Sequence, residues 1–532
     1  MKVTDIEIPY EKDRSRRYRL FEILPGVISW SILILPFILS LFIPQLVIFM
    51  IITYILLWFV KSMGLLIRSF QGLKKLEDSK KLDWRAMTAD LQNGTVAETT
   101  VAPEWHQENL ARVGNIKPDD VYNAIIIAAY NETREILEPT IQSVLASDYD
   151  MKKVILVLAY EGRDGAKSEE AVLQLAREYG SKFAHTVTAK HPLTENEVRG
   201  KGGNITFAAR KLEEYLKSAK IDPINVIVTT LDSDNRPHPK YLAALTYLYV
   251  VCPDPLYASF QPVPIFTNNI WDVPAPMRVI ATGNSFWNIV LSMRPHMIRN
   301  FSSHAQGMQA LIETDYWSVR TIVEDGHQFW RTYFRFDGKH EVYPIYLPIY
   351  QDAVFSSSYI KTLKMQFVQL RRWAYGASDI AYVVDKGFFT KNKVPKGDLI
   401  MKIARLAEGH ISWATAPLIL AFAGYVPLLV NPKDFSSNQL PIIAGRIQTI
   451  AMFGILATLY MSLKTLPPKP EHYKRHRTIF MILQWVYLPF TTVIYNSMSA
   501  LVSQTRLMFG KYLDKFDVTD KAVMTSDKKT II

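Results

Sequence analysis

Between Ile23 and Val60 the chain runs without a single charged side chain. As α-helix that stretch is roughly 57 Å long, nearly twice a bilayer core of about 30 Å. It is therefore expected to cross a membrane twice, as helices near 23–42 and 45–66. Pro36, Pro44 and the region of Ser40 offer the break between them. The run is too long for a cleaved leader, and Arg14, Arg16, Arg17 and Arg19 precede it at some distance. Those arginines place the N-terminus in the cytoplasm, and Lys61, Arg68, Lys74, Lys75, Lys80 and Lys81 beyond the second helix agree.

Further apolar stretches lie at 411–432, about 440–463 and 478–505. The loop 464–477, with Lys464, Lys469, Lys474, Arg475 and Arg477, is expected in the cytoplasm, and the Asn431–Gln439 loop outside. The last stretch has 28 uncharged residues, long for one crossing and short for two. One crossing puts the C-terminus outside; a re-entrant hairpin around Pro489 puts it inside. The single cysteine, Cys252, excludes an intrachain disulfide framework and fits a reducing compartment. The net charge of +11 admits nucleic acid or an anionic membrane. Because the basic residues cluster beside apolar spans, lipid headgroups are the expected partner and nucleic acid is not.

The organisation expected is a cytoplasmic N-terminus and two transmembrane helices (1–66), a juxtamembrane linker (67–118) and a soluble block (119–352). Basic, aromatic amphipathic segments suited to a membrane interface follow (353–410), then about three membrane segments (411–510) and a tail (511–532). The soluble block alternates strand-like runs, at Ala124–Ala129, Lys153–Ala159, Phe183–Ala189, Val226–Thr230 and Tyr257–Phe260, with helix-like ones of ten or more residues. That alternation predicts an α/β domain with a largely parallel sheet.

The fourth of these strands ends in Asp232-Ser-Asp234. Two acids at the carboxyl edge of such a sheet can converge on a hard cation, Mg²⁺ or Mn²⁺, whose shell phosphates complete. Tyr130-Asn131-Glu132 ends the first strand and offers a ring and an acid to a nucleoside. Lys201-Gly202-Gly203-Asn204 opens a helix, where free N–H groups and a lysine suit a diphosphate. Glu324-Asp325 sits between apolar flanks, as a partly desolvated general base would. Gln369-Leu-Arg-Arg372-Trp373 brings a guanidinium for a departing diphosphate and an indole for a sugar ring. Taken singly, each also reads as an ordinary cap, turn or interfacial helix.

In this order, and flanked by membrane helices, the motifs resemble the processive family 2 membrane glycosyltransferases, the group of cellulose, hyaluronan and chitin-oligosaccharide synthases. The resemblance covers roughly residues 119–380 by motif and the remainder by layout. It implies a GT-A-like, Rossmann-type nucleotide-sugar domain set between transmembrane helices in the cell membrane, with its catalytic face in the cytoplasm. Asp232 and Asp234 would hold the divalent cation. Asp325, with Glu324 beside it, would take the acceptor's proton as the anomeric carbon inverts. Arg372 and Trp373, supported by Gln369, would bind diphosphate and acceptor sugar, while Tyr130, Glu132 and Lys201 line the nucleotide. Where many members carry paired aspartates after the second strand, this chain has Ala159-Tyr160-Glu161-Gly162, leaving Glu161 or Asp164 to recognise the base. The cysteine-containing acceptor motif is replaced by Phe301-Ser-Ser-His304-Ala-Gln, so polymer identity does not transfer.

The implied function is a metal-dependent inverting transfer from a nucleotide-sugar, UDP-linked for preference, to a growing polysaccharide. Single transfer to a polyprenyl-phosphate or glycolipid is the alternative enzyme, and a non-catalytic membrane scaffold the alternative of another class. Partner subunits are compatible with either.

Overall fold

The computed structural model describes every residue except 163–165, 193, 196, 472, 474–476 and 514–532. Asp164, Lys474, Arg475 and the far tail therefore lie outside the described residues.

Eight strands form one sheet: β1 Tyr122–Ala129, β2 Val154–Glu161, β3 His185–His191, β4 Val226–Asp232, β5 Arg236–Pro237, β6 Ala258–Phe266, β7 Ala305–Gly307 and β8 Glu341–Gln351. Their spatial order is β3-β2-β1-β4-β7-β6-β8-β5. The first four pair in parallel. The expectation of a largely parallel sheet holds there and again for β6 and β8, which pair in parallel, whereas the short β7 runs antiparallel to both β4 and β6 and β5 antiparallel to β8. Alternate residues of β1 feed two cores. Ile125 and Ile127 face the helices Arg134–Leu145 and Tyr241–Val251, whereas Ala124 and Ile126 face Lys201–Ala219.

The region read as a linker belongs to the domain in part. The second apolar helix continues unbroken from Pro44 to Lys81. Its far half packs on the helix Ala275–Ser292, where a side chain at Gly72 would collide with Ile289. The helix Trp84–Asn93 then buries Met87 and Leu91 in the first core.

Among the described residues, five helices are long and apolar enough to cross a membrane: Arg16–Ser40, Pro44–Lys81, Lys396–Val430, Phe435–Thr465 and Ile479–Met508. The chain breaks between the first two at Leu41–Ile43, as the prolines predict. Both termini of the described chain touch the α/β domain. Ahead of the first helix, Ile6 is fully buried against Trp330 and Tyr382, and the Glu7 carboxylate pairs with the buried Arg331 guanidinium at 3.2 Å. At the other end Leu513 packs with Ile322 and Tyr375, and Arg19 donates to the carbonyls of Leu507 and Met508 at 2.7 and 2.6 Å. The fifth apolar helix also meets the domain near its start, where Arg278 donates to Gln484 at 2.6 Å. That helix runs continuously from Ile479 to Met508, through Pro489.

Candidate functional site

Parallel pairing aligns the carboxyl ends of β1 to β4. Ala128 lies opposite Asp232, Ala129 opposite Tyr160, and Glu161 opposite His191. The edge thus carries Tyr130, Glu161 and Asp232 in a row, in the position where α/β sheets receive ligands.

The helix Lys201–Ala219 brings its N-terminus to this edge. Asn204 ties it down by donating to the Ala129 carbonyl at 3.2 Å. Gly202 allows a second close approach: any Cβ there would strike the Ser318 carbonyl and press on Glu324. Gly203 permits the same against His191 and Glu197. The glycines of this turn are therefore packing requirements, and they bring Lys201 and the Glu324-Asp325 pair to one place. Lys201 Nζ sits 2.7 Å from Asp232 Oδ1. Burial opposes the ammonium's charge, but Asp232 and Glu324 outweigh it and hold its pKa above the ordinary value.

Glu324 and Asp325 open the helix Glu324–Arg335. Burial is the largest influence on each, raising both carboxyls above the usual range, and for Glu324 the neighbouring Asp325 adds to it. Lys201 works against the shift in both. Asp325 is eased further by the Gly326 N–H, 2.7 Å away, and by the charge of Arg372. A desolvated acid flanked by cations can take up a proton and give it up again, as a general base requires.

Gln369, Arg372 and Trp373 fall at helical spacings on Tyr359–Ala374, so one face presents all three. Trp373 rests against Phe266, with ring centroids 6.0 Å apart, in a cluster that includes Trp413 and Tyr495 of the apolar helices. Gln369 accepts a hydrogen bond from Gln366 at 3.2 Å.

The structure thus gathers Lys201, Asp232, Glu324, Asp325 and Arg372 into one electrostatic cluster. Two other acids are engaged in support. Glu132 accepts from the Tyr130 and Asn131 N–H groups at 2.6 and 3.2 Å and from the Ser233 hydroxyl at 2.9 Å, bracing the Asp-Ser-Asp turn. Glu161, where base recognition was expected, is buried with its carboxylate on His191 at 3.3 Å, and the other ring nitrogen meets Glu197 at 2.9 Å. Burial would lower the His191 pKa, but the two carboxylates outweigh it and raise it to about 9.

The Asp234 carboxylate is buried and accepts from the Asp352 N–H at 3.0 Å. Among the described residues, no group of three or more His, Cys, Asp or Glu side chains is arranged to hold a metal. Two carboxylates without a third suit a hard cation whose remaining positions go to phosphate and water.

His304 takes no part in a polar site. Its Nδ1 faces the Phe301 carbonyl at 2.8 Å and its Nε2 the Trp317 indole at 3.0 Å, and burial holds it neutral with a pKa of about 4. Sequence reasoning missed His191, Glu197, Ser233 and Ser318. Of these, only His191, at the end of the third strand, carried a signal.

No protein-family model matches the chain, and no curated protein sequence does. Solved structures similar to it include a mannosyltransferase from Pyrobaculum calidifontis in complex with GDP-Man and Mn²⁺. That one has 16% identity and a TM-score of 0.39, with 75% of this chain and 99% of that chain covered. Residues 1–349 of TarS from S. aureus in complex with UDP-GlcNAc give 14% identity and a TM-score of 0.35, covering 75% and 95%. What the site can do rests on its own residues.

Proposed function

We propose that this chain is a membrane-integral glycosyltransferase that moves a sugar from a nucleoside-diphosphate donor to a hydroxyl acceptor with inversion. The observation that carries the reading is the convergence of Lys201, Asp232, Glu324, Asp325 and Arg372 at the carboxyl edge of the parallel strands.

The nucleotide lies along the ends of β1 and β2, with Tyr130 against it and the diphosphate over the Lys201 turn. A Mg²⁺ or Mn²⁺ ion held by Asp234, with Asp232, would neutralise charge on the diphosphate. Asp325 takes the acceptor O–H proton while the oxygen attacks the anomeric carbon. The bond from that carbon to the phosphate oxygen breaks on the opposite face, and the electron pair leaves with the diphosphate. Lys201 and Arg372 stabilise that departing charge. Glu324, protonated through much of the working range, keeps a second buried carboxylate from forming beside the base.

Trp373 supplies a stacking surface for the acceptor sugar. It packs on the same apolar cluster as Trp413 and Tyr495, so the acceptor side lies next to the apolar helices, which suits a growing polysaccharide passed toward the membrane. The same contacts suit an acceptor carried on a polyprenyl phosphate or glycolipid, the second reading. Both ends of the described chain, at Ile6 and Leu513, meet the catalytic domain, so with a cytoplasmic N-terminus the domain and residue 513 are cytoplasmic too.

Titration of UDP and GDP into nanodisc-embedded protein with Mn²⁺ tests the binding half of this account. The account expects saturable binding that EDTA and Asp234→Asn each weaken by about tenfold or more. Binding indifferent to both would contradict the assignment of the Asp-x-Asp edge.

A further inference from the structure

Away from the catalytic edge, the helix Glu324–Arg335 forms one wall of a small open cleft lined by His296, Arg299, Phe329, Lys402 and Arg405 among others. Cations outnumber acids in it. Lys402 is held by Asp398 at 2.6 Å, whereas Arg299 makes no ion pair among the described residues and lies over the Trp330 ring at 4.7 Å. The acid whose charge favours Arg299, Asp379, is already on His327 at 2.7 Å. Arg405 donates to the His296 carbonyl at 3.4 Å, and the buried Nε of Arg294 has no hydrogen-bond partner. Burial lowers the His296 and Arg294 pKa values, and the surrounding cations, Arg405 and Arg68 for both, lower them further. The one acid opposing this for Arg294, Glu408, is already paired with Lys61 at 2.8 Å.

The depth of the cleft is set by that pair. Lys61 is the first charge after the apolar run, so Lys61–Glu408 marks the edge of the hydrocarbon. Arg405 and Lys402 stand about one and two turns beyond Glu408, some 5–9 Å outward, at headgroup level. Ile400 and Met401 on the same turns are exposed apolar residues.

We propose that this cleft binds a phosphate group, supplied by an anionic lipid headgroup, with Arg299 and Arg405 as its principal ligands. Guanidinium forks match phosphate oxygens in pairs, and each cation near an anionic surface adds attraction. The phosphate would give Arg299, which lines the cleft, an anionic partner. Occupancy would also brace Phe329 and Trp330, which share a helix with Glu324 and Asp325.

The test needs no turnover, so it stands or falls apart from the glycosyltransferase reading. Full-length protein is placed in phosphatidylcholine nanodiscs with or without phosphatidylglycerol, and retained lipids are counted by native mass spectrometry. Wild type is expected to retain phosphatidylglycerol over phosphatidylcholine by about tenfold. Arg299→Gln/Arg405→Gln should lose that preference, and Arg299→Lys/Arg405→Lys should keep part of it. The lysine pair also serves if the glutamine pair does not assemble: retention equal to wild type would then overturn the role of the guanidinium forks. Inorganic phosphate titrated into phosphatidylcholine nanodiscs forms the second arm. Displacement of phosphatidylglycerol by millimolar phosphate would overturn the lipid as source. Equal retention of both lipids by wild type, with no thermal shift from phosphate, would overturn the site altogether.

Discussion

Lys201 and Asp232 form a 2.7 Å ion pair between the N-terminus of one helix and the end of the strand beside it. The pair sits where the donor's diphosphate would have to lie. It gives Lys201 two tasks, holding Asp232 and opposing the rise that burial gives the carboxyl pKa values of Glu324 and Asp325.

Removing that cation should move the activity profile in a defined direction. Asp325 must be deprotonated to accept a proton, and burial raises its pKa, so activity should rise with pH above the ordinary carboxylate range. Lys201→Met takes away a charge that lowers this pKa, so the acidic limb should shift to higher pH by about one unit. A profile of kcat against pH for both proteins measures it; a shift to lower pH would contradict the arrangement.

Gly202→Ala tests the packing of the same turn. The added methyl meets the Ser318 carbonyl, a backbone atom that cannot swing aside, and Glu324 lies behind it. A cost of about 1–3 kcal/mol in stability is expected, together with a fall in turnover. Thermal unfolding beside single-turnover rates separates the two effects.

The His191 cluster predicts how stability depends on pH. The folded pKa of about 9 exceeds the ordinary 6.5, so the pair's contribution is full below about pH 6.5 and is lost as pH rises through 9. At 1.36 kcal/mol per unit the loss is at most about 3 kcal/mol. Glu197, whose pKa is depressed by His191 despite burial, loses its share in the opposite direction, as pH falls through its ordinary value. His191→Gln should flatten the alkaline fall of the thermal midpoint.

Orientation has its own check, because the only natural thiol, Cys252, is buried. Cysteines introduced at Lys12 and Lys511 should react with an impermeant maleimide from the same side. One at Asn438, in the helix Phe435–Ala451, should react from the other side. Labelling of positions 12 and 511 from opposite sides would restore a single crossing for the last helix.

Much of this was legible in the sequence because the signals were local. A charge-free run announces apolar helices, and β-branched runs ending in acids announced β1, β2 and β4. Tyr257–Phe260 announced the start of β6. Its second half, with Pro262 and Pro264, and the whole of β8, with Pro344 and Pro348, were hidden by their own residues, since proline argues against a strand interior. β7 has three residues, too few for any period. Within the site, the motif residues Lys201, Asp232, Asp325 and Arg372 do converge. The use of Glu161 and Glu132 could not be foreseen, since each depends on a partner, His191 or Ser233, that the fold alone brings near. The anchoring of Glu7 on Arg331 is the extreme case, two residues far apart in the sequence that only the fold brings together.

The measurement that bears most directly on the account is release of nucleoside diphosphate by nanodisc-embedded protein supplied with Mn²⁺, membrane lipid extract and a panel of UDP- and GDP-sugars. The account predicts release from one donor, abolished by EDTA and lowered about 10²–10⁴-fold in Asp325→Asn, which keeps its nucleotide affinity. Release that Asp325→Asn leaves intact, or none from any donor by a protein that still binds nucleotide, would contradict it.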